Sequence, residues 1–298
     1  STMITISPNF EIIDFEIFAS MIAVKRQLTY YEANLLADSD DEKMSILKEI
    51  GAKFRQKRLE QGAIHISLPE INVWLNPAGN PVVNRINRES PGRMLVSEIM
   101  IMANWLMARF LADRKIPAVY RSQASPKERL FRQDEGSLYQ NWMQRKLLSR
   151  FVLNTVAEHH TGLGLNAYVT ATSPIRKYFD LVTQRQIRAA LGLEPLYTAE
   201  EIDQIIQSLE QPMGNIAKTQ YARQRYWLLK YLEGQIGMKT EAIVLAKRRN
   251  NHVILLKEFM TECRLPLSAG IKLKPEDLVQ VTVQHVDARR DLLSVFMG

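Results

Sequence analysis

A chain of 298 residues, 46% of them hydrophobic, is long enough to bury one large core and a smaller one, and no low-complexity tract marks it as disordered. Its formal charge of +7 suits a polyanionic partner. A single cysteine, Cys263, excludes an internal disulfide and an all-cysteine metal site, and fits a reducing cytoplasmic setting.

Ser1-Thr2-Met3-Ile4 carries no basic region and no small-residue cleavage site, so it does not read as a signal peptide. Residues 2–28 alternate as strands, with a hairpin turn at Pro8-Asn9. This opening, directly in a strand, reads as the middle of a domain. Residues 29–60 have helical spacing, and the acidic run from Asp38 to Glu42 reads as a helix cap rather than a metal site. Residues 63–86 predict a strand hairpin turning at 76–80. Residues 91–114 predict a helix apolar nearly all round. Its length would suit a membrane span, but Glu98, Asn104 and Arg109 interrupt it, so a buried core helix is expected and no membrane partner. A buried Glu98 needs a partner, and an ion pair is one reading of it.

Residues 127–160 predict a basic helical region ending in His159-His160, beside a glycine cap rather than in a metal site. Within 168–188, Thr172 and Ser173 read as caps, Pro174 as the first helical residue, and Arg176 and Lys177 as cations in the first turn. A helix dipole disfavours cations there by about 0.3–1 kcal/mol each, so these two either hold an anion or pair with Asp180. Two further helices are expected at 198–211 and 218–237. The second carries Tyr226, Trp227 and Tyr231, read as core anchors in preference to base-stacking residues. Five short strands between 241 and 297 then predict an OB-type barrel. Lys247, Arg248 and Arg249 supply its charge, so it reads as an electrostatic guide for single strands.

The string Thr172-Ser173-Pro174-Ile175-Arg176-Lys177-Tyr178, followed by Asp180-Leu181, with Tyr168 upstream and Arg185 downstream, resembles the signature of the ribonuclease II (RNB) family of 3′-to-5′ exoribonucleases. Leu28-Thr29-Tyr30, the segment from Arg58 to Glu70, Leu95 to Asn104, and Val119-Tyr120-Arg121 resemble other family segments in the family's order.

The resemblance implies an α+β fold. Residues 1–236 would be the C-terminal portion of a helix-rich RNB domain around a mixed sheet, and 237–298 the RNA-binding barrel. It implies hydrolysis of single-stranded RNA to nucleoside monophosphates, with Arg176 catalytic. Ser173, Lys177 and Arg185 would hold phosphates, Tyr168 and Tyr178 would line the channel or pack the core, and Glu98 would contact the RNA 3′ end. The chain departs from the family in three ways. Ser97-Glu98 stands where two acids are usual, Gln184 and Gln123 stand where histidine is usual, and no aspartate cluster precedes Leu28. The Mg²⁺ ligands are therefore expected in an N-terminal portion of the same protein, with no metal ligand in this chain. The alternative is a non-catalytic RNA-binding or regulatory member.

Overall fold

The computed structural model describes residues 1–37, 41–132, 136–267 and 271–298. They form two compact units: Ser1–Ile66 with Glu89–Gly136 and Gln144–Glu210, and Ser67–Arg88 with Ser137–Met143 and Gln211–Gly298.

In the first unit, β1 (Thr2–Ile6) and β2 (Ile12–Ile17) pair antiparallel, and Ser7 and Phe10 close the turn at Pro8-Asn9. Helices α1 (Tyr30–Ala37) and α2 (Glu42–Glu60) follow. Asp41 caps α2, its carboxylate accepting from the Met44 N–H at 2.8 Å. Asp38 and Asp40 lie outside the described residues.

Helix α3 (Pro91–Asp113) matches its expected span. Among the described residues it is the one helix long and apolar enough to cross a membrane, but its Met102, Leu106, Ala108, Phe110 and Leu111 pack inside this unit's core. Strand β5 (Tyr120–Gln123) pairs with β6 (Phe151–Asn154), and α5 (Tyr178–Ala190) lies on a cluster built from Val119, Phe179, Val182 and Ile202.

The second unit holds a hairpin, β3 (Glu70–Leu75) and β4 (Pro81–Ile86), turning at the expected Asn76–Asn80. Its barrel is closed in the order β10-β11-β9-β8-β7, from β7 (Lys239–Lys247), β8 (Asn251–Leu256), β9 (Thr261–Pro266), β10 (Leu278–Asp287) and β11 (Leu292–Met297). Val244, Ile254, Leu256, Val281 and Val295 fill its core, each fully buried. Tyr226 and Tyr231 pack against that core, as anchors should. The α+β class and the five-stranded OB-type barrel hold. The barrel strands lie within the expected 237–298, but the compact unit around them also takes in 67–88, 137–143 and 211–236.

Two local expectations fail. The helices expected at 198–211 and 218–237 are one helix, α6 (Ala199–Glu233), which continues through Pro212. Ser208, whose carbonyl Pro212 leaves without an N–H donor, is exposed, so water can serve it. The basic region 127–160 is not one helix: α4 (Leu138–Leu147) ends, β6 follows, and His160 lies in an isolated bridge with Leu165. Pairing with β5 overrides the helical spacing there. Gly164 is needed in this stretch. It has φ of 65°, and a Cβ would lie 2.5 Å from the Arg58 carbonyl oxygen.

Candidate functional site

The segment 168–173 runs from the β5 edge to the turn that precedes α5. The Arg121 N–H donates to the Tyr168 carbonyl at 2.8 Å, and Val169 bridges Tyr120. Side chains from two helices then hold its backbone. Asn104 of α3 accepts from the Ala171 N–H at 3.0 Å and donates from Nδ2 to the Tyr168 hydroxyl at 3.2 Å. Gln184 of α5 donates to the Ala171 carbonyl at 2.8 Å, and the Asp180 carboxylate accepts from the Ser173 N–H at 2.9 Å. Asn104 and Asp180 are buried, where unmet polar groups are costly, so these bonds fix the backbone firmly.

Beyond Ser173 the chain turns out into solvent. The Arg176 and Lys177 N–H groups donate to the Ser173 carbonyl at 3.3 and 3.0 Å, and an Arg176 guanidinium nitrogen donates to Ser173 Oγ at 3.2 Å. This corrects the expected helix start. Helix α5 begins at Tyr178, with Lys177 in extended geometry as its N-cap, because the Ser173 carbonyl closes a separate turn first. Arg176 and Lys177 are exposed residues ahead of the helix, not cations in its first turn. Asp180 does occupy that turn, but its buried carboxylate faces Ser173 and forms no ion pair with either cation.

The other candidates divide. Tyr168 packs inside, its ring edge-on to His160 at 5.6 Å, while Tyr178 is exposed. Burial raises the Tyr168 hydroxyl pKa, against opposing effects of Asn104, Arg121 and Arg58. Arg185 donates to the Tyr197 hydroxyl at 2.8 Å. Glu98 is buried against Arg58, which donates from Nη2 at 2.6 and 2.7 Å and from Nε at 3.2 Å, and also reaches the Leu163 carbonyl at 3.1 Å. The ion pair that a buried Glu98 called for is present. Its partner is Arg58 on α2, forty residues upstream, which the spacing along α3 could not reveal.

Three residues at this site were not singled out from the sequence. Asn104 read only as an interruption of an apolar helix, and Asp180 only as a surface partner. Arg121 lies over the Phe151 ring at 4.6 Å. Burial pulls its guanidinium below the ordinary range, partly offset by Tyr168 and then Asp180. The signal for Asn104 and Arg121 was their place inside the family-like segments. Gln123 and Gln184 both have structural work: Gln123 donates to the Ser149 carbonyl at 2.7 Å and accepts from the Gly162 N–H.

Among the described residues no three His, Cys, Asp or Glu side chains stand close enough to hold a metal ion. Asp14 and Glu16 are exposed on β2 without further acids beside them. In the barrel, a cavity of about 590 Å³ is lined by Arg248, Arg249, Asn250, Asn251, Glu262 and Arg264, a basic surface suited to a polyanion.

The RNB domain model matches residues 1–192. An uncharacterized ribonuclease of Synechocystis sp. is 30% identical over 289 residues, covering 93% of this chain and 43% of its own. Mycoplasma genitalium RNase R, solved in complex with ribose-methylated single-stranded RNA, superposes with a TM-score of 0.79 at 17% identity, covering 99% of this chain and 57% of its own. Yeast Ssd1, a pseudonuclease, superposes at 0.64 and 17% identity, covering 89% and 38%. At such identities the structural likeness carries the fold alone. The chain spans half or less of the length of curated relatives it matches, 37% to 50% for three of them.

Proposed function

Since this chain belongs to the RNB domain family, we propose that it is the C-terminal part of a hydrolytic 3′-to-5′ exoribonuclease that degrades single-stranded RNA to nucleoside monophosphates. The observation that carries the reading is the exposed Arg176 guanidinium, held by Ser173 Oγ on a segment that buried side chains fix. A planar fork held in place can bind two oxygens of one phosphate and favour the charge that builds as the phosphodiester is attacked. Lys177 adds a second exposed cation beside it, and the basic cavity of the barrel guides the strand. Mg²⁺, when bound, would activate the attacking water. Its ligands belong to an N-terminal portion of the same protein, which agrees with relatives about twice this length.

The test is Arg176→Ala in the protein at its natural length. Single-turnover cleavage of a 5′-labelled single-stranded oligoribonucleotide should slow about 100- to 1000-fold, as for loss of one preorganised charge-stabilising donor. RNA affinity should change far less. Equal losses in rate and affinity would sink the role in cleavage.

A second reading, a non-catalytic RNA-binding member, draws on the lack of an acid cluster among the described residues and on the likeness to a pseudonuclease. It predicts RNA binding with no cleavage under any metal condition.

A further inference from the structure

We infer that Asp180 is a positioning residue for Arg176, acting through Ser173. This rests on the proposed role of Arg176 in cleavage. The turn carrying Arg176 has almost no packing of its own: Ile175 is fully exposed, and Arg176, Lys177 and Tyr178 are exposed beside it. Apolar burial therefore cannot fix where the guanidinium points. The polar links that remain form a chain. Asp180, 1% exposed, accepts the Ser173 N–H at 2.9 Å. The Ser173 carbonyl takes the Arg176 and Lys177 N–H groups, and Ser173 Oγ takes the guanidinium itself. Removing the first link frees Ser173, and with it both of the groups that aim Arg176.

Position matters as much as presence here. A charge-stabilising group displaced by about 1 Å can lose on the order of 100-fold in rate while still attracting its ligand. The carboxylate is also well placed to act as a fixed point. It sits in the first turn of α5, where the helix dipole favours an anion, and within electrostatic reach of the half-buried Arg121 guanidinium. Neither of those partners is part of the solvent-facing turn, so Asp180 ties that turn to the body of the unit.

A double-mutant cycle tests this, using the protein at its natural length and single-turnover cleavage of single-stranded RNA. Asp180→Ala should slow cleavage about 30- to 100-fold with RNA affinity nearly unchanged. Asp180→Asn, which keeps an acceptor oxygen for the Ser173 N–H, should recover most of that loss. Ser173→Ala removes only the Oγ link at a half-buried position and should slow cleavage without lowering the unfolding temperature. It keeps the test open if Asp180→Ala fails to fold. In an Arg176→Ala background, Asp180→Ala and Ser173→Ala should each change the rate by less than about threefold, since there is no guanidinium left to aim. Losses that multiply with that of Arg176→Ala would overturn the inference and leave the function of Arg176 standing. If Arg176→Ala itself leaves the rate unchanged, the proposed function falls first.

Discussion

The segment that carries Arg176 and the barrel that closes the chain hold their shapes by different means. Backbone ladders and a fully buried aliphatic core hold the barrel, so many contributions share each position. The Arg176 segment is held by a few side-chain hydrogen bonds from Asn104, Gln184 and Asp180, one of them reaching 67 residues along the sequence. Core burial contributes stability broadly and tolerates change on the surface. A few polar bonds contribute orientation, which a single substitution can remove without unfolding anything.

The largest stability effect is expected where the first unit buries charge. Arg58→Met strands Glu98 without its partner and should cost about 3–5 kcal/mol in urea unfolding. Adding Glu98→Leu should return most of it, because the cost lies in the unpaired charge. If the double variant is as unstable as the single, that account of the pair is wrong. Leu256→Ala opens the barrel core and should cost about 2–5 kcal/mol, while cleavage by the folded fraction is unchanged. A loss of rate in folded Leu256→Ala would break the division between stability and orientation.

Smaller effects sharpen the contrast in function. Arg248→Ala combined with Arg249→Ala should weaken RNA binding and lower the salt slope of affinity by about 1–2, with the cleavage rate at saturating RNA retained. The smallest effect concerns acid. Burial pulls the His160 imidazole from 6.5 down to about 4, with Arg121 and His159 adding to the shift. The folded state thus binds fewer protons than the unfolded state between those values. The contribution of His160 is complete above pH 6.5 and declines as pH falls through 6.5 toward 4. His160→Phe should flatten stability across that window, and an unchanged slope would reject the assignment.

How legible each region was in the sequence follows from what holds it. The barrel strands, the 76–80 hairpin and α3 each carry their own pattern: alternation, turn residues, or an apolar run without a polar face. The start of α5 did not, because Thr172-Ser173-Pro174 is a good helix cap by local chemistry. Only the buried Asp180 and the Ser173 carbonyl turn delay the helix to Tyr178. In the same way Phe151 to Asn154 became a strand through pairing with Tyr120 to Gln123, thirty residues away. The helices expected at 198–211 and 218–237 proved continuous because the exposed stretch between them carries helix through Pro212. For the site, the exposed cations were visible in sequence, whereas the short links through Ser173 and Asp180 that aim them depend on a turn that the local cap chemistry concealed. Glu98 illustrates the same limit: an acid in an apolar helix signals a partner, without saying that the partner is Arg58.

The most direct test of the account is a digestion of 5′-labelled single-stranded RNA by the protein at its natural length, with Mg²⁺ present or chelated. A 3′-to-5′ exoribonuclease should shorten this RNA from the 3′ end one nucleotide at a time, release nucleoside monophosphates, and arrest on chelation. RNA that is bound with measurable affinity yet stays intact with Mg²⁺ present would contradict it.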